Sequence, residues 1–507
     1  MSDFTKLEAR PELPRPAGQA AAPAVHLDRI HALLDPGSFQ ELDALAEHDC
    51  TWFDADRRVR PGDGIATGHG TIDQRPVLVY AHDGNFLGGS SSRVHALKIG
   101  KVLDLALRIG VPVIGLNHSS GLRIHEGVDA DSQFSHVFHK TVRASGVVPQ
   151  ISLILGDCVG GAAYTPALTD FIVMVEQESA LFLTGPAVIR RATGEEVTRE
   201  EIGGGLLHAT ETGLAHFLAE SADEALAIAR ELLSYLPRNN ASPVPPTHGP
   251  ATLPRTLDEL DAIVPASKTE PFDVRQLIER LVDEDSFLEV HRLHARNIVV
   301  GFARLGGHSV GIVANQSAWL AGCLDIDASE KAARFVRTCD AFGIPLLTLL
   351  DVPGYLPGKQ QERSNVIGAG AKLMHAYCEA VVPKLAVVVR KAYGGAYPTL
   401  ANRSATDVIY AFPDAEISVM GPEAAVDVIF RKELAGTADA PEAAGRRERL
   451  IDDYRDAHAS ARYSARRTYI EGLVEPAQLR NTVISTFALL REKIAHAPGR
   501  RHSNIQL

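Results

Sequence analysis

The densest apolar pattern in the chain comes twice. Residues 385–390 read LAVVVR, a continuous apolar run of strand length, and feed directly into KAYGGAY at 391–397. Residues 151–156 read ISLILG and feed in the same way into DCVGGAAY at 157–164. Uninterrupted runs of this length, bounded by glycine, predict strands buried on both faces. Around them the pattern alternates with helical periodicity. In 92–121 (SRVHALKIGKVLDLALRIGVPVIGLNHSSG) a 3.6-period segment is followed by a Gly-Val-Pro turn, an apolar strand and a polar glycine-bearing loop. Residues 329–354 (SEKAARFVRTCDAFGIPLLTLLDVPG) repeat that order.

The repetition extends through most of the chain. DPGSFQEL at 35–42 is echoed by IERLVDEDSFLEV at 278–290, and GIATGHGTIDQRPVLVYA at 64–81 by NIVVGFARLGGHSVGIVA at 297–314. The second pair has the strand–turn–strand alternation of a hairpin. VVPQISLILGDCVGGAAYTP at 147–166 matches VVPKLAVVVRKAYGGAYPTL at 381–400, and LFLTGPAVIRRATGEE at 181–196 matches ISVMGPEAAVDVIFRKE at 417–433. So many correspondences in one order imply a duplicated α/β unit, with parallel strands, crossover helices and ligands at the carboxyl ends of the strands. The expected layout is a loose Pro/Ala-rich arm over 1–24, a first domain over 25–236, a Pro-rich linker over 237–266 and a second domain over 267–507. From Ala435 onward the chain is charged, with Arg446, Arg447 and Arg449 among acids, and reads as a solvated helix packed on a neighbouring subunit.

Composition narrows the function classes. The chain has 507 residues, 45% hydrophobic and 22% charged, as in ordinary globular proteins of more than one domain. A net charge of −12 argues against nucleic acid or an anionic membrane as partner. The five cysteines are scattered without a zinc-ligand spacing, so no metal site and a reducing cytoplasm are expected. No apolar run reaches the roughly 18 residues of a membrane span.

The chemistry points to the two glycine turns. Residues without Cβ at a strand end let backbone N–H groups crowd round a ligand oxygen, and a helix start would add free amides. Two such turns suggest two oxyanions. No GxSxG, Walker or HExxH sequence offers another apparatus, and His118, His125, His136 and His139 read as loop or surface histidines. A site that stabilises oxyanions without a side-chain base implies that a substrate or cofactor supplies the base.

Long blocks carry a family resemblance: GLNHSSGLRIHEGV, ASGVVPQISLILGDCVGGAAYTPALTDFIVMV, GIVANQSAWLAGCLDIDASEKAARFVRTCDAFGIP, DVPGYLPG, GAKLMHAY, VVPKLAVVVRKAYGGAY and AEISVMGPEAAV. Over about residues 35–433 the chain resembles the carboxyltransferase (β) subunits of biotin-dependent acyl-CoA carboxylases of the propionyl-CoA and acetyl-CoA type. The resemblance implies two tandem crotonase-like domains and a ring-shaped homo-hexamer, a dimer of trimers. Active sites would form between the N-terminal domain of one subunit and the C-terminal domain of another. It implies biotin carried on a partner protein and an acyl-CoA substrate. A biotin carboxylase/biotin carboxyl carrier (α) subunit would use ATP and bicarbonate. Carried over by position, the two oxyanion holes are Gly160–Gly161 and Gly395–Ala396. The second is the expected seat of the acyl-CoA carbonyl, with the reverse assignment left open. Substrate-binding positions carried over are Gly121, Arg123 and Tyr164 in the first half, and Ala321, Gly322, Tyr397 and Pro398 in the second.

Several residues depart from that family's pattern. Pro398 stands where relatives carry Asp after GGAY; HSSGLRIHEG replaces DSGGARIQEG, changing His118, Ser120, Leu122 and His125; and Ser364-Asn365-Val366-Ile367-Gly368 stands in place of GGIIR. A basic KGKLTARER-like segment before the first DxGSF-like motif is missing. These changes favour an acyl group longer or more branched than propionyl. Alternatives are a biotin-linked decarboxylase or transcarboxylase, a carboxyltransferase for a non-CoA substrate, and a noncatalytic assembly subunit.

Overall fold

A computed structural model describes residues 24–249, 253, 255–435, 441–495, 499 and 501–506, so the proposed arm lies outside the described residues but for Ala24. The first half contributes strands β1 (Gln40–Leu42), β2 (Ile65–Ile72), β3 (Arg75–His82), β4 (Val113–Ser119), β5 (Gln150–Val159), β6 (Phe171–Val175), β7 (Ala180–Phe182) and β8 (Phe217–Ala219). The second contributes β9 (Leu288–Val290), β10 (Ile298–Leu305), β11 (His308–Asn315), β12 (Leu346–Val352), β13 (Lys384–Tyr393), β14 (Val408–Ala411), β15 (Glu416–Ser418) and β16 (Gly472–Leu473).

Among the described residues these form two eight-stranded sheets of one topology. The first runs β1-β2-β3-β4-β5-β6-β8 with β7 on β5; the second runs β9-β10-β11-β12-β13-β14-β16 with β15 on β13. β2–β3 and β10–β11 are the antiparallel hairpins that the alternation predicts, while β3 to β6 and β11 to β14 pair in parallel. The register slips at one corresponding place in each half, between Asn117 and Ser119 and between Leu350 and Val352. Beyond it the central strand keeps its β4 or β12 partner on one side, while on the other β7 or β15 takes the place of β6 or β14. Those short strands exist to hold the ends of β5 and β13.

The long helices follow from capping as much as from periodicity. Arg93–Ile109 starts at Ser92, whose side chain accepts from the His95 amide, and stops at Gly110 in the left-handed region. Ile326–Ala341 starts at Asp325, which accepts from the Ala328 amide. The two sheets share a core across the duplication: the Phe171 and Phe302 rings lie 5.9 Å apart, and Tyr235 stacks on Phe302 at 6.2 Å. Full burial of a ring such as Phe302 contributes about 1.5–3 kcal/mol, and the Tyr235 hydroxyl donates to the Ser286 carbonyl at 2.8 Å across the same junction.

In the C-terminal tail, helix Pro441–Tyr454 is joined to its own chain through Arg447, in a bidentate bond to Asp427 on helix Pro422–Ile429. Arg446 pairs with Glu433.

Candidate active site

At the end of β5 the chain turns through Gly160 (φ 60°), and at the end of β13 through Gly394 (φ 60°). A side chain there would be strained by roughly 1–2 kcal/mol, which explains the first glycine of each pair. Each of these glycines donates its own N–H back to the edge strand, Gly160 to Phe182 O and Gly394 to Ser418 O, both at 3.0 Å. This corrects the assignment of the Gly160 amide to an oxyanion hole, since β7 takes that donor. Past these glycines, the amides of Gly161 and Ala162, and of Gly395, Ala396 and Tyr397, find no acceptor among the described residues. The two halves therefore present the same pair of donors one residue past the positive-φ glycine. The sequence pairing matched Gly395–Ala396 with the wrong partner by one step.

The helices that follow are short, Gly161–Ala167 and Ala396–Leu400, so individual amides and not a long helix dipole carry the donor capacity. The second glycines differ in what they need. A Cβ on Gly161 would sit 3.2–3.3 Å from the Leu122 side chain, a contact inside the chain. A Cβ on Gly395 would meet nothing within 4 Å. Gly395 opens into a cavity of about 800 Å³ lined also by Gly394, Tyr397, Pro398, Ser418 and Val419. Tyr454, His458, Tyr463 and Tyr469 from the tail complete the lining. The Tyr397 hydroxyl is buried without a partner, and burial pushes it up to about 12.

The remaining expected residues fall into two groups. Gly121 (φ 106°) lies against the end of β5, where a Cβ would come 3.2 Å from Val159 O, and its loop therefore borders the first turn. Tyr164 is half-exposed on the helix after that turn, edge-on to Phe138 at 6.0 Å. Arg123 is a correction. Its side chain is 1% exposed, bonded to Asp63 at 2.8 Å and Glu126 at 3.2 Å, with Ser90 O at 3.2 Å. A buried arginine with its donors so engaged holds the loop and has none to offer a CoA phosphate. Ala321 and Gly322 do not line the cavity. They belong to a left-handed turn, Leu320–Gly322, that sits on the end of β12, and Leu87–Gly89 is its counterpart in the first half. Leucine and alanine at φ 47° and 54° store strain there.

Beneath the second turn lies a buried charge cluster. Arg390 donates to Asp351 at 2.6 Å and to the carbonyl of Ser267 at 2.8 Å, and Lys391 reaches Asp351 at 3.1 Å and Lys268 O at 2.9 Å. It ties the chain entering the second half to the strand that bears the turn. In the first half the corresponding space holds His118, whose ring fills a slot between Gly84 and Gly156, where a Cβ on either glycine would overlap it. The four histidines of the sequence cluster do not converge: His125 packs on Phe53 at 6.4 Å, and His136 and His139 lie on helix Val128–Ala144. Sequence reasoning missed the tail wall. The signal was present in YRDAHASARY, where Tyr454 and His458 are four apart and face the same way on a helix.

Comparison with known proteins gives this geometry a family. Residues 19–505 match the model of the carboxyl transferase domain. The propionyl-CoA carboxylase carboxyltransferase subunit of Haloferax mediterranei is 49% identical over 482 residues, 95% of this chain and 93% of that protein. A biotin-dependent acetyl-/propionyl-coenzyme A carboxylase beta5 subunit of Mycobacterium tuberculosis is 47% identical over 515 residues, 98% and 94% of the two chains. The crystal structure of transcarboxylase 12S, a hexamer with methylmalonyl-coenzyme A bound, superposes with TM-score 0.90 at 43% identity, covering 95% of this chain and 92% of that one. The duplicated crotonase-like fold expected from the sequence is the fold of this chain. No helix among the described residues is long and apolar enough to cross a membrane.

Proposed function

The chain belongs to the carboxyl transferase family, and from that premise we propose that it is the carboxyltransferase (β) subunit of a biotin-dependent acyl-CoA carboxylase acting in the cytoplasm. One observation carries the reading: each half presents two consecutive unengaged amides at the end of its central strand, Gly161–Ala162 and Gly395–Ala396. Paired amides aimed at one point stabilise the oxyanion of an enolate, and loss of one such donor typically costs about 2.7–4 kcal/mol. The open approach at Gly395 fits a carbonyl from outside the chain, whether thioester or biotin ureido. Carboxybiotin bound on a partner's carrier domain supplies the carboxyl group and the nitrogen that takes up the α-proton. This chain's amides at the second turn hold the thioester oxygen while negative charge develops on it. Those at the first hold the ureido oxygen. Strands β7 and β15 keep both turns fixed, so no reorganisation is needed as charge builds.

The acyl group is proposed to be longer or more branched than propionyl, because Pro398 leaves the wall beside Gly395 without a carboxylate and the cavity is large. A homo-hexamer with sites shared between subunits, and an α subunit providing biotin, complete the proposal. Transfer of carboxyl from carboxybiotin to a panel of acyl-CoAs tests it, and no transfer to any member would overturn it. A transcarboxylase or decarboxylase is the second reading, favoured by the likeness to transcarboxylase 12S. The same amides stabilise the same enolate in either direction, and the partner subunits decide.

A further inference from the structure

The rings that line the cavity beside Gly395 and Pro398 come from the segment between β15 and β16, which is longer than its first-half counterpart between β7 and β8. After helix Pro441–Tyr454 the backbone widens into a π-helical turn, Arg455–Ala459. Such widened turns alter side-chain direction and occur often at functional sites. This one is anchored from outside the cavity: Arg455 bonds Glu416 at 2.8 Å and Asp452 at 2.6 Å. Glu416 also accepts from the Tyr393 hydroxyl, on the last residue of β13 before the turn. The π-turn is thus tied to the strand that carries the donors. Its product is a chain of rings: His458 lies 5.3 Å from Tyr454 and 6.0 Å from Tyr463, tilted and edge-on, with Tyr469 beside them on the cavity wall. Tyr454 is further held by its hydroxyl against Ser418 Oγ at 3.3 Å.

The chemistry of this lining is specific. Tyr397, Pro398 and Val419 line the same space, and among the described residues no carboxylate, lysine or arginine does. Aromatic faces held by edge contacts favour flat, polarisable groups over flexible chains, because offset and edge-to-face ring contacts add to simple area burial. We infer that Tyr454, His458, Tyr463 and Tyr469 form an acyl-chain subsite for flat, ring-bearing acyl groups, with His458 as its specificity-determining residue. The inference rests on the proposed acyl-CoA carboxyltransferase reading and on the acyl group sitting at the second turn.

The test compares 3-phenylpropionyl-CoA, hexanoyl-CoA and propionyl-CoA as carboxyl acceptors, using the full-length protein and a carboxylated biotin carrier. Wild type is expected to prefer the phenyl over the hexanoyl substrate by about tenfold in kcat/KM. His458→Ala should erase that preference through KM, with a loss on the phenyl substrate about tenfold larger than any loss on propionyl-CoA, whose short acyl group gains little from the rings. His458→Phe, which keeps a ring, should restore it. Equal losses on all three substrates, or an unchanged phenyl-to-hexanoyl ratio in His458→Ala, would overturn the subsite while the carboxyltransferase reading stands. No transfer to any acyl-CoA would instead sink that reading. Circular dichroism and light scattering of each variant separate a folding defect from a change in selectivity; if His458→Ala misfolds, Tyr469→Ala on the exposed rim reports the same ratio.

Discussion

Lys98 and Lys331 occupy the same place in the two halves, and each buried ammonium donates to the carbonyl of the first residue of a hairpin strand, Ile65 at 2.5 Å and Ile298 at 2.7 Å. Lys331 goes further and also reaches the carbonyls of His291 at 3.0 Å, His294 at 2.8 Å and Ala295 at 3.3 Å, in the loop between β9 and β10, which packs on the first half where the His291 amide donates to His216 O at 2.9 Å. Burial lowers both, Lys331 to about 7. The duplication therefore kept a costly buried charge twice and enlarged its task once, at the junction.

A stability difference follows. Lys331→Met keeps the stem but strips donors from a set of buried carbonyls, at roughly 1–3 kcal/mol for each group left unpaired. Lys98→Met strips fewer, since beyond Ile65 only Gly62 O is near, at 3.4 Å. The Lys331 variant should be the less stable by about 1–3 kcal/mol in chemical denaturation. Equal destabilisation would show that the junction contacts contribute nothing.

The buried histidines predict the acid limb of stability. Burial holds His82 at about 4 and His291 at about 3, and His95 and His216 lie well below the usual value. These folded-state values are depressed, so below about pH 6.5 the unfolded chain binds protons that the native chain refuses. Their contribution is intact above that pH and is lost as pH falls towards the folded values, at up to about 1.4 kcal/mol per pH unit for each histidine. Asp170, raised to about 6 by burial, works in the opposite sense with a single proton. Denaturation midpoints should drop between pH 6.5 and 5, and the drop should be shallower in His82→Phe, provided that the ring is accommodated.

Gly395→Ala separates function from folding. No atom of the chain lies within 4 Å of the added methyl, and Gly395 is already in the right-handed helical region at φ −65°. Thermal stability should therefore hold. The methyl enters the space where a carbonyl must approach to about hydrogen-bond distance, and displacing it by about 1 Å should cost on the order of 10²-fold in kcat/KM. Gly161→Ala, by contrast, presses on Leu122 and should lower stability as well. Full activity in Gly395→Ala would remove the second turn from the chemistry.

Much of this was legible in the residues. The duplication, the hairpins with their parallel strands and the position of both turns follow from apolar runs and glycines, because sheet burial and positive φ leave local marks. The long-range content did not. Which amide of Gly160 and Gly161 is free depends on β7 returning to pair with the end of β5, a contact that no local pattern announces. Arg123 was carried over as a substrate-binding position, and nothing local shows that it is engaged, because its partner Asp63 lies sixty positions earlier in the chain. The tail wall was missed for another reason: Tyr454 and His458 fall four apart, but Tyr463 and Tyr469 come from the segment after the π-turn, and the charged residues around all four give the stretch the look of a solvated helix.

Pro398 gives the sharpest substrate prediction. It lies in the short helix after the second turn, in the wall shared with Gly395, Tyr397 and Val419. A carboxylate at this position would need water or a cation to stay charged, and among the described residues no lysine or arginine lines the cavity. Relatives with Asp there would keep this end of the pocket wet and short. Proline is apolar, fixes φ near −65° and donates no hydrogen bond, so it leaves a rigid dry wall. Each further methylene buried against that wall should add about 0.8 kcal/mol, or roughly fourfold in kcat/KM, until the pocket is full. Along a straight-chain acyl-CoA series, wild type should therefore improve beyond propionyl-CoA, whereas Pro398→Asp should move the optimum back to it. The substitution should leave the propionyl-CoA rate within a few fold, because the Gly395 and Ala396 donors are untouched. If wild type prefers propionyl-CoA and the substitution changes nothing, Pro398 does not set chain length. Selectivity would then rest on the tail rings or on the loop from His118 to His125.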